Sequence, residues 1–155
     1  MAINIRTKGQ QGEREVADML NFIVYSVLKE QGYPEEECLR GMTTIQRNQM
    51  QSAVGGNDLT NCFGLSIEVK RQEQLSVNTW WKQCVAAAAR NNELPVLMYR
   101  QNRKPWQVRT LAWLNVGSSS KSYMQAVVEF NEDTFKAWFK AHVNQMINDG
   151  YEIKV

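Results

Sequence analysis

Two carboxylates and a lysine stand close together in the middle of the chain, and their types suit divalent-metal chemistry. Asp58 follows the glycine pair Gly55-Gly56, and Glu68 and Lys70 stand two residues apart in an apolar run. Residues i and i+2 of a strand point to the same face, so Glu68 and Lys70 are expected to emerge together. A turn at 61–64 and an antiparallel partner strand would bring Asp58 beside them. The sequence therefore predicts a hairpin that carries all three groups on one patch.

These three groups predict hydrolysis of a phosphodiester. Carboxylate oxygens are hard ligands that suit Mg²⁺, and Mn²⁺ is expected to substitute. An ion on Asp58 and Glu68 would lower the pKa of a bound water and stabilise charge on a phosphate. Lys70 would orient that water or neutralise the developing charge. The alternative interpretation is a surface Glu–Lys ladder on a strand, an arrangement that contributes little.

A third carboxylate, Glu13, lies on the first predicted helix, which the spacing places from about Gly12 to Gln31. The apolar stripe of that helix consists of Val16, Leu20, Ile23, Val24 and Val27. At about 100° per residue, Glu13 falls near the middle of the stripe, where an isolated charge needs a partner. Glu13 is thus either part of a functional site or a first-turn acid that the helix dipole favours.

The remaining pattern predicts an α/β domain. A strand at 65–70, a helix at about 77–91 that Ser76 caps, and a strand at 94–99 predict a βαβ crossover with parallel strands. Further expectations are an acidic loop at 35–37, strands at about 42–46, 106–114 and 124–130, and a helix from 133 or 134 to about 148. We expect one domain over 1–155, with a core at about 5–113 and a C-terminal addition at about 114–155.

Composition narrows the class of protein. The 155 residues are 43% hydrophobic and 22% charged with a net charge of +2, which fits a globular domain and permits a nucleic-acid partner. Three cysteines without a CxxC pair and the single His142 argue against a disulfide framework and a histidine-rich zinc site. No membrane partner is expected, because no signal-peptide pattern or bilayer-spanning run is present. We expect a cytoplasmic protein, in the host cytoplasm if a phage encodes it.

The residues described so far resemble the PD-(D/E)XK nuclease superfamily, with Asn57-Asp58 in place of Pro-Asp and Glu68-Val69-Lys70 as the E-x-K element. The segment Gly9-Gln10-Gln11-Gly12-Glu13-Arg14-Glu15-Val16 is similar to the G-x-x-x-E-R-E helix start of archaeal-type Holliday junction resolvases. The strands at 65–70 and 94–97 are similar to that family as well. The resemblance covers roughly 5–113. It implies a restriction-endonuclease-like mixed central sheet flanked by helices, with an extra C-terminal strand and helix.

The resemblance also implies roles for individual residues. The implied catalytic residues are Glu13, Asp58, Glu68, Lys70 and Gln83. The implied metal ligands are Asp58, Glu68, the carbonyl of Val69, and Glu13 either directly or through water. Contacts to DNA are expected from the basic residues Arg14, Arg47, Arg71, Lys82, Arg103 and Lys104.

The leading hypothesis is a Mg²⁺-dependent, structure-selective DNA endonuclease that resolves four-way junctions. The resemblance implies a homodimer, because two opposed strands must be cut in a coordinated way. The five tryptophans fit a dimer interface, a tryptophan-rich core, or stacking on the bases of an open junction. Two alternatives stay open: a nuclease of the same fold that cuts nicked, branched or duplex DNA, and a non-catalytic DNA-binding protein that keeps the fold. The complete set of acids with the lysine counts against the second.

Overall fold

A computed structural model of the chain describes residues 5–49, 57–118 and 120–154. The helices are α1 (Ile5–Glu30), α2 (Glu35–Gly41), α3 (Val77–Asn91) and α4 (Glu132–Asn148). The strands are β1 (Gln46–Arg47), β2 (Leu59–Thr60), β3 (Leu65–Arg71), β4 (Leu94–Arg100), β5 (Gln107–Asn115) and β6 (Tyr123–Asn131). The predicted glycine pair at 55–56 lies outside the described residues.

A mixed sheet of four strands in the order β3-β4-β5-β6 forms the centre of the fold. β3 and β4 are parallel, with Glu68 opposite Leu97, and α3 connects them, so the predicted crossover is confirmed. β4 pairs with β5 and β5 with β6 in antiparallel fashion. The predicted fold class, a mixed sheet flanked by helices, is confirmed. β3, which carries Glu68 and Lys70, lies at one end of the strand order, and β6 lies at the other.

Helices cover both faces of this sheet. α1 and α4 share the larger core with apolar residues of β3, β4 and β5, among them Ile67, Val69, Val96, Met98 and Val108. α3 covers the opposite face, where Trp80 and Cys84 pack on Leu97 and Tyr99. Because α4 contributes the fully buried Phe135 and Phe139 to the larger core, the helix of the C-terminal addition helps to build that core.

The first helix is longer than predicted, and this changes the interpretation of Glu13. α1 is already helical at Ile5, rather than from about Gly12, so Glu13 lies more than two turns inside it. The interpretation as a first-turn acid is therefore wrong. The predicted alignment with the apolar stripe is confirmed, because Glu13 is buried on the same side of α1 as Val16 and Leu20.

Two short elements also differ from the expectation. The acidic segment at 35–37 forms the first turn of α2 rather than a loop, where its three carboxylates are favoured at the positive end of the helix dipole. The strand expected at about 42–46 is reduced to β1, which pairs with β2 in a separate two-stranded sheet. The pairing of β2 with β1 also replaces the predicted hairpin of two strands in one sheet. The turn at 61–64 nevertheless brings β2 back beside β3.

The remaining sequence predictions concern cysteine, histidine and tryptophan. All three cysteines are buried and unbridged. His142 Nε2 lies 2.8 Å from the Phe63 carbonyl oxygen, and its ring stacks on Trp138, which indicates a structural role. Trp80 and Trp106 are buried, whereas Trp113 is exposed. Among the described helices, none combines the length and the apolar character that a membrane crossing requires.

Candidate active site

Asp58 is held against β3 by two hydrogen bonds. Its backbone N–H donates to the Ile67 carbonyl at 3.0 Å, and its Oδ2 accepts from the Val69 backbone N–H at 2.7 Å. The turn that allows this approach contains Asn61, Phe63 and Gly64, all at positive φ, a conformation that favours glycine and tolerates asparagine. The antiparallel approach predicted for Asp58 is thus present, although β2 belongs to the other sheet.

Glu68 and Lys70 point to the same side of β3, as their spacing predicts. Lys70 Nζ lies 3.9 Å from Glu68 Oε1, which makes a long ion pair with both side chains largely buried. The alternative of an exposed surface ladder is therefore not supported. An ammonium beside a carboxylate partly compensates the charge of that carboxylate and leaves further donors available.

The two carboxylates of this patch are difficult to ionise together. The pKa of Asp58 is raised to about 8: burial is the largest cause, the nearby carboxylates of Glu68 and Glu13 also raise it, and the Val69 N–H and Lys70 act in the opposite direction. Burial also raises the pKa of Glu68, Lys70 lowers it and Glu13 raises it. A cation between Asp58 and Glu68 would relieve both the burial cost and the repulsion.

Glu13 approaches the same patch from α1, and an arginine accompanies it. Arg47 of β1 donates from Nε to Glu13 Oε2 at 2.7 Å, with both side chains mostly buried. Arg47 is thus the partner that a carboxylate on the apolar stripe was expected to need. It also gives Arg47 a fixed position at the site.

Gly12 permits the close approach of α1 to the sheet. A Cβ at this position would lie 3.1 Å from Arg71 Cβ and 3.5 Å from both Val69 Cγ1 and Trp106 Cη2. A larger residue would push α1 away from β3, and the neighbouring Glu13 would move with it. The sequence pattern places Gly12 only in the helix-start motif. Its packing role does not follow from that pattern, because it depends on tertiary contacts with the sheet.

Asp58, Lys70, Glu13 and Arg47 line an open cleft of about 850 Å³; Glu68 is not itself on the described wall but pairs with Lys70, which is. Of the described residues, the charged ones on its wall are the bases Arg6, Arg47, Lys70 and Arg71 and the acids Glu13 and Asp58. The uncharged residues on the described part of the wall are Gly9, Gln10, Gln49, Val69 and Gln72. Bases outnumber acids, so the wall suits a phosphodiester backbone next to a carboxylate pair.

The donor set fits a hard divalent cation held by two carboxylates. Within 5–49, 57–118 and 120–154, no group of three or more His, Cys, Asp and Glu side chains is arranged to hold a metal by itself. Asp58 and Glu68 offer oxygen ligands of the type that Mg²⁺ and Mn²⁺ prefer. Because Arg47 already pairs with Glu13, this carboxylate fits the water-mediated role better than direct ligation. Val69 lies on the cleft wall, which suits the expected contribution of its carbonyl.

The other residues expected at the site divide into two groups. Arg47 and Arg71 reach the cleft wall, as expected of residues that contact DNA. Arg14, Lys82, Gln83, Arg103 and Lys104 are exposed and are not among the cleft-wall residues. The turn with Arg103 and Lys104 lies beside the segment after β3, because the Asn102 N–H donates to Glu73 Oε1 at 2.7 Å.

Sequence reasoning missed one charge network at the rim of the cleft. Glu15 accepts from Arg71 Nη1 at 2.8 Å and from Arg100 Nη2 at 2.7 Å, so one carboxylate ties α1 to β3 and β4. Arg100 also lies over the Trp106 ring, 5.2 Å from the ring centroid. The available signal was the position of Glu15 on the flank of the apolar stripe, beside the glycine that approaches the sheet.

Comparison with known proteins gives a family, and similar solved structures are found as well. The family described as "Phage putative PDDEXK endonuclease" matches residues 4–149. No curated protein matches the chain. A solved structure of Hjc from Archaeoglobus fulgidus, a Holliday junction resolvase from an archaeal hyperthermophile, is similar to 69% of this chain and 86% of that chain, with 15% identity and a TM-score of 0.33.

Proposed function

The chain belongs to the family of phage putative PDDEXK endonucleases, and from this premise we propose that it is a Mg²⁺-dependent DNA endonuclease. The proposed reaction is hydrolysis of a phosphodiester bond at Asp58 and Glu68, with a four-way junction as the foremost substrate. The observation that carries the proposal is the carboxylate pair of the buried Asp58 and the mostly buried Glu68, beside Lys70 at the edge of a cleft whose wall is rich in arginine.

Asp58 and Glu68 are the proposed ligands of the ion, with the Val69 carbonyl and Glu13 in supporting positions. When bound, the ion would supply a water of lowered pKa and neutralise charge on the phosphate. The Val69 N–H holds Asp58 in place by donating a hydrogen bond to its Oδ2 at 2.7 Å, which leaves the other carboxylate oxygen, Oδ1, available to the ion. Lys70 is proposed to donate to the attacking water or to a phosphate oxygen, where charge develops.

The cleft wall supports binding of a DNA strand beside these groups. Arg47 and Arg71 are each fixed by a carboxylate, Glu13 and Glu15 respectively, which reduces the entropy lost when an arginine meets a phosphate. Gln10, Gln49 and Gln72 add polar groups to the same wall. Phosphate contacts of this kind position DNA without reading its sequence.

The preference for a junction is supported by the helix start at 9–16, which resembles that of junction resolvases. A junction carries two opposed strands to be cut, so we propose a homodimer that acts in the cytoplasm of the host cell. A nuclease of the same fold that cuts nicked, branched or duplex DNA would use the same groups, and the substrate has to be identified by experiment.

A comparison of substrates separates these possibilities. Purified protein and Mg²⁺ are incubated with a four-way junction, a flap, a nicked duplex and a plain duplex of matched sequence, each with a labelled strand. We expect the junction to be cut fastest. If another substrate is cut faster, that substrate and not the junction is the preferred one. Tight binding without any cutting would favour the non-catalytic alternative.

Metal binding is measured separately by isothermal titration calorimetry with Mn²⁺. We expect binding by the wild type, loss of binding in Glu68→Gln, and unchanged binding in the control variant Glu36→Gln. Glu36 is an exposed acid on α2, away from the cleft wall, so the two variants remove the same charge from different places. Equal binding by all three proteins would contradict the assignment of the ligands.

A further inference from the structure

We propose that a second copy of this chain pairs with the outer edge of β6, antiparallel to it, about a two-fold axis that passes next to Gln125. The two four-stranded sheets would then form one sheet of eight strands. The inference goes beyond the proposed dimer by naming its surface, and it rests on the exposure and composition of the β5–β6 hairpin rather than on the nuclease site.

The hairpin carries a concentration of exposed apolar side chains. Of the twelve large hydrophobic residues exposed in the described part of the chain, six lie at the end of this hairpin: Trp113, Leu114, Val116, Tyr123, Met124 and Val127. Trp113, Tyr123, Met124 and Val127 are each between 54% and 56% exposed. Alternation along the strands places Trp113, Tyr123 and Val127 on one face of the hairpin and Leu114 and Met124 on the other, so apolar side chains flank the β6 edge on both faces. Single exposed hydrophobic residues are ordinary on a soluble protein, but a concentration of them at one edge is typical of an interaction surface.

The outer edge of β6 also lacks the features that keep edge strands apart. No strand of the described chain pairs with this edge, since β6 ends the strand order. The run from Ser122 to Val128 contains no charged residue, no proline and no glycine. Charges, prolines and bulges are the usual means by which proteins prevent pairing of an exposed edge, and an unprotected apolar edge is prone to pair.

A second copy is the occupant that this strand fits, because the strand complements itself. In an antiparallel pair with its axis at Gln125, Tyr123 of one copy lies opposite Val127 of the other, and Met124 lies opposite Ala126. The same register brings Lys121, in the turn before β6, towards Glu129, whose Oε1 already accepts from Arg109 and Tyr99 and whose charge is opposite to that of the lysine. Apolar and opposite-charge cross-strand pairs each stabilise a sheet. Shifting the axis to Ala126 would instead place Tyr123 opposite Glu129.

The same pairing would shelter the exposed hairpin ends. Trp113 lies opposite Gln125 on β5 and therefore one strand from the axis, so the two copies of Trp113 would flank it, roughly 14 Å apart along the sheet. The exposed end of each hairpin would lie beside the helix-covered half of the other sheet. With strands about 4.8 Å apart, the two β3 strands would be separated by seven spacings, roughly 34 Å, at the two outer edges. Both clefts would therefore stay open.

A DNA partner fits this surface less well. Between Ser122 and Val128 no side chain is basic, whereas binding to the phosphate backbone depends on lysine and arginine. The basic residues of the cleft lie on α1, β1 and β3, and β3 is separated from β6 by two strands. The composition of the edge thus favours a protein strand of similar composition.

The sharpest test is a disulfide across the proposed axis. Residues opposite each other in an antiparallel pair have Cα atoms about 4.5 to 5.5 Å apart, which is within the range that a disulfide spans. The three native cysteines are buried, so a cysteine introduced at an exposed position is the one that oxidation reaches. We expect Gln125→Cys in the full chain to form a covalent dimer, twice the 17.9 kDa of one chain, under mild oxidation.

The matched control for this variant is Leu39→Cys, at an exposed position on α2. We expect it to stay monomeric on a non-reducing gel under conditions that cross-link Gln125→Cys fully. Equal cross-linking of the two variants, or none at either position, would overturn the proposed pairing.

A second test uses the solution mass of variants without cysteine. Val127→Lys places an ammonium at the interface in each copy, and we expect light scattering to show at least a tenfold weaker dimer. Phe22→Lys, at an exposed position on α1, makes the same kind of change elsewhere and is expected to leave the dimer intact. Circular dichroism and thermal melting of both variants establish that they are folded.

Three results would overturn the inference: a monomeric wild type, a dimer that Val127→Lys leaves unchanged, or a larger weakening by Phe22→Lys. A monomeric wild type would also count against the homodimer proposed for paired cutting of a junction, but none of the three results bears on hydrolysis of a phosphodiester at a single site. A protein that dimerises as predicted but cuts no DNA would instead contradict the proposed function, so the two failures are distinguishable.

Discussion

Replacing Asp58 by asparagine is predicted to stabilise the metal-free protein while it removes the site. The side chain is buried, and burial together with the Glu68 carboxylate raises its pKa from 3.8 to about 8. An acid with a higher pKa in the folded state binds more protons when folded, so its contribution to stability is largest at low pH. That contribution falls as the pH rises from about 4 to about 8.

The magnitude follows from the shift. At pH 7 the Asp58 carboxyl is ionised in the unfolded chain and protonated in the folded one, and pH 7 lies about three units above the unfolded pKa of 3.8. At 1.36 kcal/mol per unit, Asp58 therefore lowers the free energy of unfolding by about 4 kcal/mol. This is an upper figure, because Glu68 shares the repulsion. Asparagine avoids that cost and still accepts the hydrogen bond from the Val69 N–H. For a domain of this size the melting temperature is expected to rise by roughly 10 °C.

The assay is thermal unfolding in EDTA at pH 5 and pH 8, followed by circular dichroism. We expect Asp58→Asn to melt higher than the wild type, with the larger difference at pH 8, and Glu36→Gln to melt within about 3 °C of the wild type and no higher, since it loses only a helix-dipole contribution. Addition of Mg²⁺ is expected to raise the melting temperature of the wild type and of Glu36→Gln but not of Asp58→Asn, because a ligand that binds the folded state stabilises it. A variant that melts lower than the wild type at pH 8 would refute the reasoning.

Three further substitutions test the surroundings of the carboxylate pair. Arg47→Ala is expected to weaken DNA binding and to reduce the salt dependence of the affinity by about one unit of slope, as measured by fluorescence anisotropy at several salt concentrations. Glu15→Gln removes the carboxylate shared by Arg71 and Arg100 and is expected to cost about 1 to 2 kcal/mol in urea unfolding. Gln83→Ala is expected to change the cleavage rate by less than roughly twofold, because the side chain is exposed and lies off the cleft wall. A tenfold lower cleavage rate in Gln83→Ala would instead show that Gln83 takes part in catalysis.

The local sequence pattern was sufficient to predict the helices and strands that carry the site. The two-residue spacing of Glu68 and Lys70 placed both on one side of β3, and the apolar runs on either side of α3 predicted the parallel crossover. The helical period placed Glu13 on the buried side of α1, and this held although the helix starts earlier than predicted. In each case a pattern within one element, or the order of consecutive elements, was enough.

Features that depend on contacts between distant segments were beyond this reasoning. The ion pair between Glu13 and Arg47 joins α1 to β1, and the network of Glu15 joins three elements. Neither follows from spacing, because the partners are brought together only by tertiary packing.

The helix at 35–41 was missed for a local reason. Its three consecutive acids are typical of a solvated loop, and the dipole of a helix start favours them equally.

The most direct test of the central claim is a single-turnover cleavage assay on a labelled four-way junction with Mg²⁺. The account predicts cutting by the wild type and by Glu36→Gln, no cutting in EDTA, and a rate at least about 10³-fold lower in Glu68→Gln, since a metal contributes several kcal/mol of charge stabilisation. An inert wild type, or cutting by Glu68→Gln at the rate of the wild type, would contradict it.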